Sequence, residues 1–147
     1  MRNIIVGLAM MAGACGGGGG EEIVDTALAG SVGGQNWTFV AGHTDAFLSE
    51  GESDFFAEFY AEAFTPCGFD TPTGDFLIVA VPKEVGEYDF SLSLNMTFVV
   101  GSDNLVATDG RIVVDEVTTT TVRGGLVGDF DGDNHVNGQF ELAICAQ

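Results

Sequence analysis

Apolar positions along this chain fall into short runs separated by turn residues, and the dominant spacing is two rather than 3.6. Residues 36–41 (Asn-Trp-Thr-Phe-Val-Ala) follow the turn-forming Gly33-Gly34 and predict a strand. Residues 53–64 are dense in aromatics (Phe55, Phe56, Phe59, Tyr60, Phe64). The Ala and Glu between them suit a helix. Aromatics on a pleated surface between two neighbouring strands favour a strand instead. Residues 76–81, Phe-Leu-Ile-Val-Ala-Val ended by Pro82, are continuously apolar, as expected of a strand buried on both faces. Residues 86–94 alternate, with Tyr88, Phe90, Leu92 and Leu94 against Asp89, Ser91 and Ser93. Residues 96–100 and 104–107 predict two more strands, and residues 111–122, with Ile112, Val114 and a four-threonine run, read as one β-branched strand. Residues 126–130 and 136–145 flank the polar turn Asp131-Gly132-Asp133-Asn134. In the second of these, Val136, Gly138, Phe140, Leu142 and Ile144 share one face at a period of two.

About eight short strands with frequent turn signals predict an all-β domain over residues 30–147, an antiparallel β-sandwich or flattened barrel. The 22 glycines of the chain suit its turns, and its 12 Phe are available to fill the core.

The N-terminus has a different pattern. Arg2 precedes an apolar run over residues 4–14. That run is too short to cross a bilayer as a helix, which needs roughly 20 residues, but it fits the apolar region of a secretory signal, about 7–15 residues. Ala12-Gly13-Ala14 lead into Cys15, and glycines 16–20 follow it. The layout resembles a bacterial lipoprotein signal, although Ala12 stands where such signals usually carry Leu. The resemblance implies a signal peptide over residues 1–14 and a lipidated Cys15 opening a flexible Gly-rich tether over 15–29. With two or more acyl chains the membrane anchoring is durable. Gly16, rather than Asp, after the cysteine points to the outer membrane, facing the periplasm or the cell exterior.

Charge narrows the partners. The chain carries 4 Lys and Arg against 22 Asp and Glu, a net −18 at neutral pH. Such a field repels nucleic acid and anionic lipid and favours cationic partners or divalent ions. Acids alternate with apolar residues, so disorder is not implied. With Cys15 taken by lipid, Cys67 and Cys145 remain, and in an oxidising compartment two leftover thiols predict one disulfide.

One segment has metal-binding spacing. In the stretch 129–137, Asp129, Asp131 and Asp133 occupy positions 1, 3 and 5 of a calcium loop, with Asn137 at position 9. It resembles the calcium loop of dockerin modules. Asn134 stands where that loop needs Gly, and Phe140 where it needs an acid, with Glu141 one place late. A solvated hairpin turn is the competing reading. His43 and His135 are the two histidines, and neither has a ligand-spaced partner. None of the serines sits in a nucleophile elbow. Carboxylate pairs such as Glu58 and Glu62 are too abundant to single out. Trp37, Tyr60 and Tyr88 are few for a sugar- or peptide-binding platform, and Trp37 reads as core.

Several phrases together, among them Gly34-Gln-Asn-Trp-Thr-Phe-Val, Val81-Pro-Lys-Glu-Val-Gly-Glu-Tyr and Val136-Asn-Gly-Gln-Phe-Glu-Leu-Ala-Ile-Cys145, resemble uncharacterised small lipoproteins of Gram-negative bacteria. The resemblance implies a glycine-rich tether, a β-sandwich and the two-cysteine arrangement, and it carries no catalytic residues. The expectation is a lipid-anchored envelope protein acting as a binding or structural module without chemistry of its own, with an envelope protein or glycan as its partner. A calcium-dependent adhesion module and a hydrolase with an unlocalised active site are the alternatives.

Overall fold

The computed structural model describes residues 20–146. The expected signal peptide, Cys15 and glycines 16–19 lie outside the described residues. Within them the chain is all-β and forms no helix. Eleven strands appear in place of about eight: β1 (Ala29–Val32), β2 (Gln35–Thr38), β3 (Ala41–Asp45), β4 (Asp54–Tyr60), β5 (Phe76–Pro82), β6 (Gly86–Asp89), β7 (Met96–Val100), β8 (Asp103–Ala107), β9 (Asp109–Val117), β10 (Thr121–Asp131) and β11 (Asn134–Ala143).

The strands belong to one sheet in the order β6-β9-β10-β11-β3-β4-β5-β7-β8, with β1 on β11 and β2 on β1. The sheet is mixed rather than purely antiparallel, because β11 meets β3 in parallel at Ala143 and His43. It curls into a half-barrel in which β10 lies across from β8 and β9 across from β5. The interior is filled by alternating side chains from both halves: Leu77, Val79, Met96 and Phe98 on one, Ile112, Val114, Leu126 and Leu142 on the other. Phe59 packs at 5.3 Å from Phe39 and 5.2 Å from Phe140, centroid to centroid. Gly128 sets how closely the halves approach, since a Cβ there would stand 1.9 Å from Met96 Sδ.

Several local expectations change. Residues 36–41 split into β2 and β3, because β2 ends at Thr38 after pairing back onto β1. The β1–β2 turn is Gly33-Gly34, with φ +60° and +73°, the left-handed pair that a two-residue hairpin demands. The four-threonine run is not strand interior. The Thr118 hydroxyl accepts from the backbone N–H of Thr120 and Thr121 and closes the β9–β10 turn. Leu92 leaves the core pattern and is 90% exposed, because the Ser91 hydroxyl accepts from the Ser93 and Leu94 N–H and turns the chain after Phe90. Residues 53–64 contain a strand, β4, as preferred, ending at Tyr60.

Residues 21–28 run alongside β11. Leu28 N–H donates to the Gln139 carbonyl and Gln139 N–H to the Thr26 carbonyl. Asn137 accepts from Val24 N–H and donates to Glu21 and the Glu22 carbonyl. Leu28 is fully buried. The boundary drawn between residues 29 and 30 therefore falls inside β1, and the segment from Glu21 onward packs with the domain rather than serving as tether.

Candidate functional site

The continuous apolar run of β5 is not buried on both sides. Leu77, Val79 and Val81 are fully buried, while Phe76, Ile78 and Ala80 are half-buried on the outer face. There they belong to a cross-strand ladder: Phe56 of β4 pairs with Ala80, and Ile78 pairs with Thr97 of β7, which pairs with Val106 of β8. The ladder floors an open groove of about 410 Å³. Leu48, carried by the loop between β3 and β4, also lines it. Glu52 and Asp54 stand at the rim with Asn95 and Asn104.

Two carboxylates, Glu52 and Asp54, and one cation, Lys83, stand at this end of the groove. Among the described residues Arg111 pairs with Glu87 at 2.8 Å and Arg123 with Glu116 at 3.0 Å, both away from it. Lys83 lies nearby, but its ammonium donates to the Ser49 and Glu52 carbonyls and sits 5.4 Å above the Phe55 ring. Neither Glu52 nor Asp54 has an ion pair among the described residues. Beside the groove β8 ends the sheet, so one side of its backbone has no strand partner among the described residues. Ligand pockets span about 300–1,000 Å³ with a mostly apolar lining and a few polar groups, a range that includes this groove.

The loop proposed for calcium is a closed hairpin. Asp129 lies within β10, in register with His135 on one side and Asp109 on the other. Asp131 Oδ1 accepts from Asp133 N–H at 3.0 Å and from Asn134 Nδ2 at 2.9 Å. The Asp133 carbonyl accepts from Gly34 N–H and the Ser31 hydroxyl, which pins the turn to β1. Asn137 is occupied by the segment 21–24. Among the described residues Asp129, Asp131 and Asp133 do not form a group whose ligand atoms all lie within 4.8 Å of one another. Among the described residues the group of three metal-capable side chains within ligand reach of one another is His43, Cys67 and Cys145.

That second corner escaped sequence reasoning apart from its cysteines. Cys67 and Cys145 form a disulfide, with Cα atoms 5.4 Å apart. His43 on β3 accepts from the Cys67 N–H at Nδ1, 2.9 Å, so the ring proton sits on Nε2 and is donated to Glu58 Oε2 at 3.1 Å. Tyr60 donates to the same carboxylate oxygen at 3.1 Å. The Tyr60 phenol is pushed up to about 12 by burial first, then by the Glu58 charge and hydrogen bond, with Thr71 acting in the opposite sense. Phe64 stands edge-on to the His43 ring at 5.2 Å, and Phe76 stacks on Tyr60 at 5.0 Å. The corner holds a polar chain without a serine: the hydrogen bonds of His43 go to Glu58 and to Cys67. Of the aromatic residues weighed for a platform, Trp37 is buried with its indole N–H on the Asp75 carbonyl, and Tyr88 donates to the Glu84 carbonyl.

Comparison of the chain with protein-family models, with curated proteins and with solved structures yields no match.

Proposed function

We propose that this is a lipid-anchored envelope protein whose β domain binds, without chemistry of its own, an extended segment of another envelope protein that combines apolar and basic side chains. The outer groove carries the reading: an apolar floor of Phe56, Ile78, Ala80 and Val106 beside the carboxylates Glu52 and Asp54, neither of which has an ion pair among the described residues. An extended segment adds along β8 by main-chain hydrogen bonds and lays alternate side chains into the groove. Basic neighbours on that segment face the acidic rim, and the net charge of −18 speeds their approach. The anchor rests on the sequence around Cys15, and a Cys15→Ser chain expressed in a bacterium should leave the membrane fraction and lose fatty-acid labelling.

The binding claim is tested with a labelled peptide of alternating Leu and Lys, titrated by fluorescence anisotropy. Binding should weaken as salt rises, fall when Glu52→Gln and Asp54→Asn are combined, and be lost in Ala80→Arg. Equal binding of a Leu–Glu peptide, or unaltered binding by Ala80→Arg, would overturn it. Binding of a neutral oligosaccharide in place of either peptide would reassign the groove to a glycan.

A further inference from the structure

The disulfide corner is built like a metal site closed by oxidation. His43, Cys67 and Cys145 each offer one donor atom, all within 4.8 Å of one another. They come from three separate segments. The parallel contact of Ala143 with His43 brings the C-terminus to β3, and the Cys145 N–H then donates to Thr44 Oγ1. The turn at residues 65–68 brings Cys67 to the same ring, with Gly68 N–H on the Thr65 carbonyl. The imidazole is already arranged as a ligand. Its Nδ1 lone pair faces the Cys67 segment and accepts from the Cys67 backbone N–H, and its Nε2–H is held by Glu58, which Tyr60 holds in turn. A carboxylate on the far nitrogen is what orients metal-bound histidines and raises their basicity.

We propose that reduction of the Cys67–Cys145 disulfide opens a Cys2His site for Zn²⁺, with the fourth position left to solvent. The chemistry balances with a dithiol as reductant. It breaks the S–S bond by exchange, gives one hydrogen to each sulfur and becomes a disulfide itself. Zinc takes both sulfurs as thiolates and releases two protons to water, while His43 binds as the neutral imidazole through the lone pair that the Cys67 N–H held. Thiolate donors favour zinc over hard cations such as Ca²⁺ and Mg²⁺. Cys67 is exposed, so a dithiol reaches it. The domain thus reports the redox state of its compartment by holding a bond or an ion at one corner.

The test uses the full chain carrying Cys15→Ser, so that two thiols remain, in its oxidised and dithiol-reduced forms. Zn²⁺ is titrated against a chromophoric chelator, Co²⁺ serves as the absorption probe, and circular dichroism follows the fold. The reduced form should bind one Zn²⁺ per chain and the oxidised form none, and Co²⁺ should show thiolate charge transfer. His43→Ala should weaken binding at least tenfold. Glu58→Gln, which leaves every ligand in place, should weaken it about 10–100-fold. Equal zinc uptake by the oxidised form would overturn the proposal. So would binding indifferent to both His43→Ala and Glu58→Gln, or a reduced chain that unfolds and takes up no zinc.

Discussion

Removing the disulfide should cost much of the stability of this domain, and the amount follows from chain length. Cys67 and Cys145 are separated by 78 residues. Closing a loop of that size in the unfolded chain costs about 4–5 kcal/mol of entropy by the chain model, and measured losses for native disulfides run about 2–5 kcal/mol. Ordinary domains are stable by only about 5–15 kcal/mol. Alanine at position 67 keeps the backbone N–H that His43 accepts, and alanine at 145 keeps the one donated to Thr44, so the substitutions remove the link and little else. Urea unfolding of the oxidised protein, Cys67→Ala, Cys145→Ala and the double variant forms a complete cycle. Each single variant should lose about the same amount, the double variant no more than about 0.5 kcal/mol further, and the wild type in excess dithiol without zinc should match them. Additive losses, or single-variant losses below about 1 kcal/mol, would refute the reasoning.

Three other perturbations probe separate parts of the fold. Gly128→Val drives a side chain into the buried Met96 and should cost about 1–3 kcal/mol in chemical unfolding; an unchanged midpoint would mean that the two halves of the sheet do not meet there. The folded state favours the protonated Tyr60 phenol. Its contribution is complete below pH 10 and is lost as pH rises toward about 12, so the wild-type melting temperature should fall more steeply over that window than that of Tyr60→Phe, and parallel curves would contradict the burial of the phenol beside Glu58. Asp131→Ala removes the acceptor of two turn hydrogen bonds and should cost about 0.5–2 kcal/mol, equally in calcium and in chelator; a loss confined to calcium would restore the loop as an ion site.

The parts of the fold that read from sequence are those set by local pattern. The period of two over residues 136–145 placed Val136, Phe140 and Leu142 on the core face, and all three are buried. The β10–β11 turn at Gly132-Asp133 announced itself by its polar residues, and cysteine counting paired Cys67 with Cys145. What stayed hidden depends on contacts between distant segments. A tract such as Thr118–Thr121 has high strand propensity, yet a Thr hydroxyl also satisfies turn amides, and here that of Thr118 makes a turn that ends where β10 begins at Thr121. Residues 21–28 look like tether because their partners, Asn137 and Gln139, lie more than a hundred positions away. The β5 run is apolar on both faces, and sequence alone does not separate a covered outer face from the floor of a groove. Asp129, Asp131 and Asp133 have the spacing of a calcium loop, and the Asp131 carboxylate also holds the hairpin turn by accepting from Asp133 N–H and Asn134. No local signal marks His43, whose neighbours come from separate segments: Glu58 opposite it on β4, Cys67 on the turn at residues 65–68, and Cys145 through the parallel contact of β11 with β3.

The most direct measurement is amide chemical-shift mapping of the domain during titration with the Leu–Lys peptide. The largest changes should fall on β8 and on Phe56, Ile78, Ala80 and Thr97, and should vanish in Ala80→Arg. Shifts spread over the acidic surface at large, with β8 and the groove unmoved, would show attraction without a site and would contradict the assignment of this face as the binding surface.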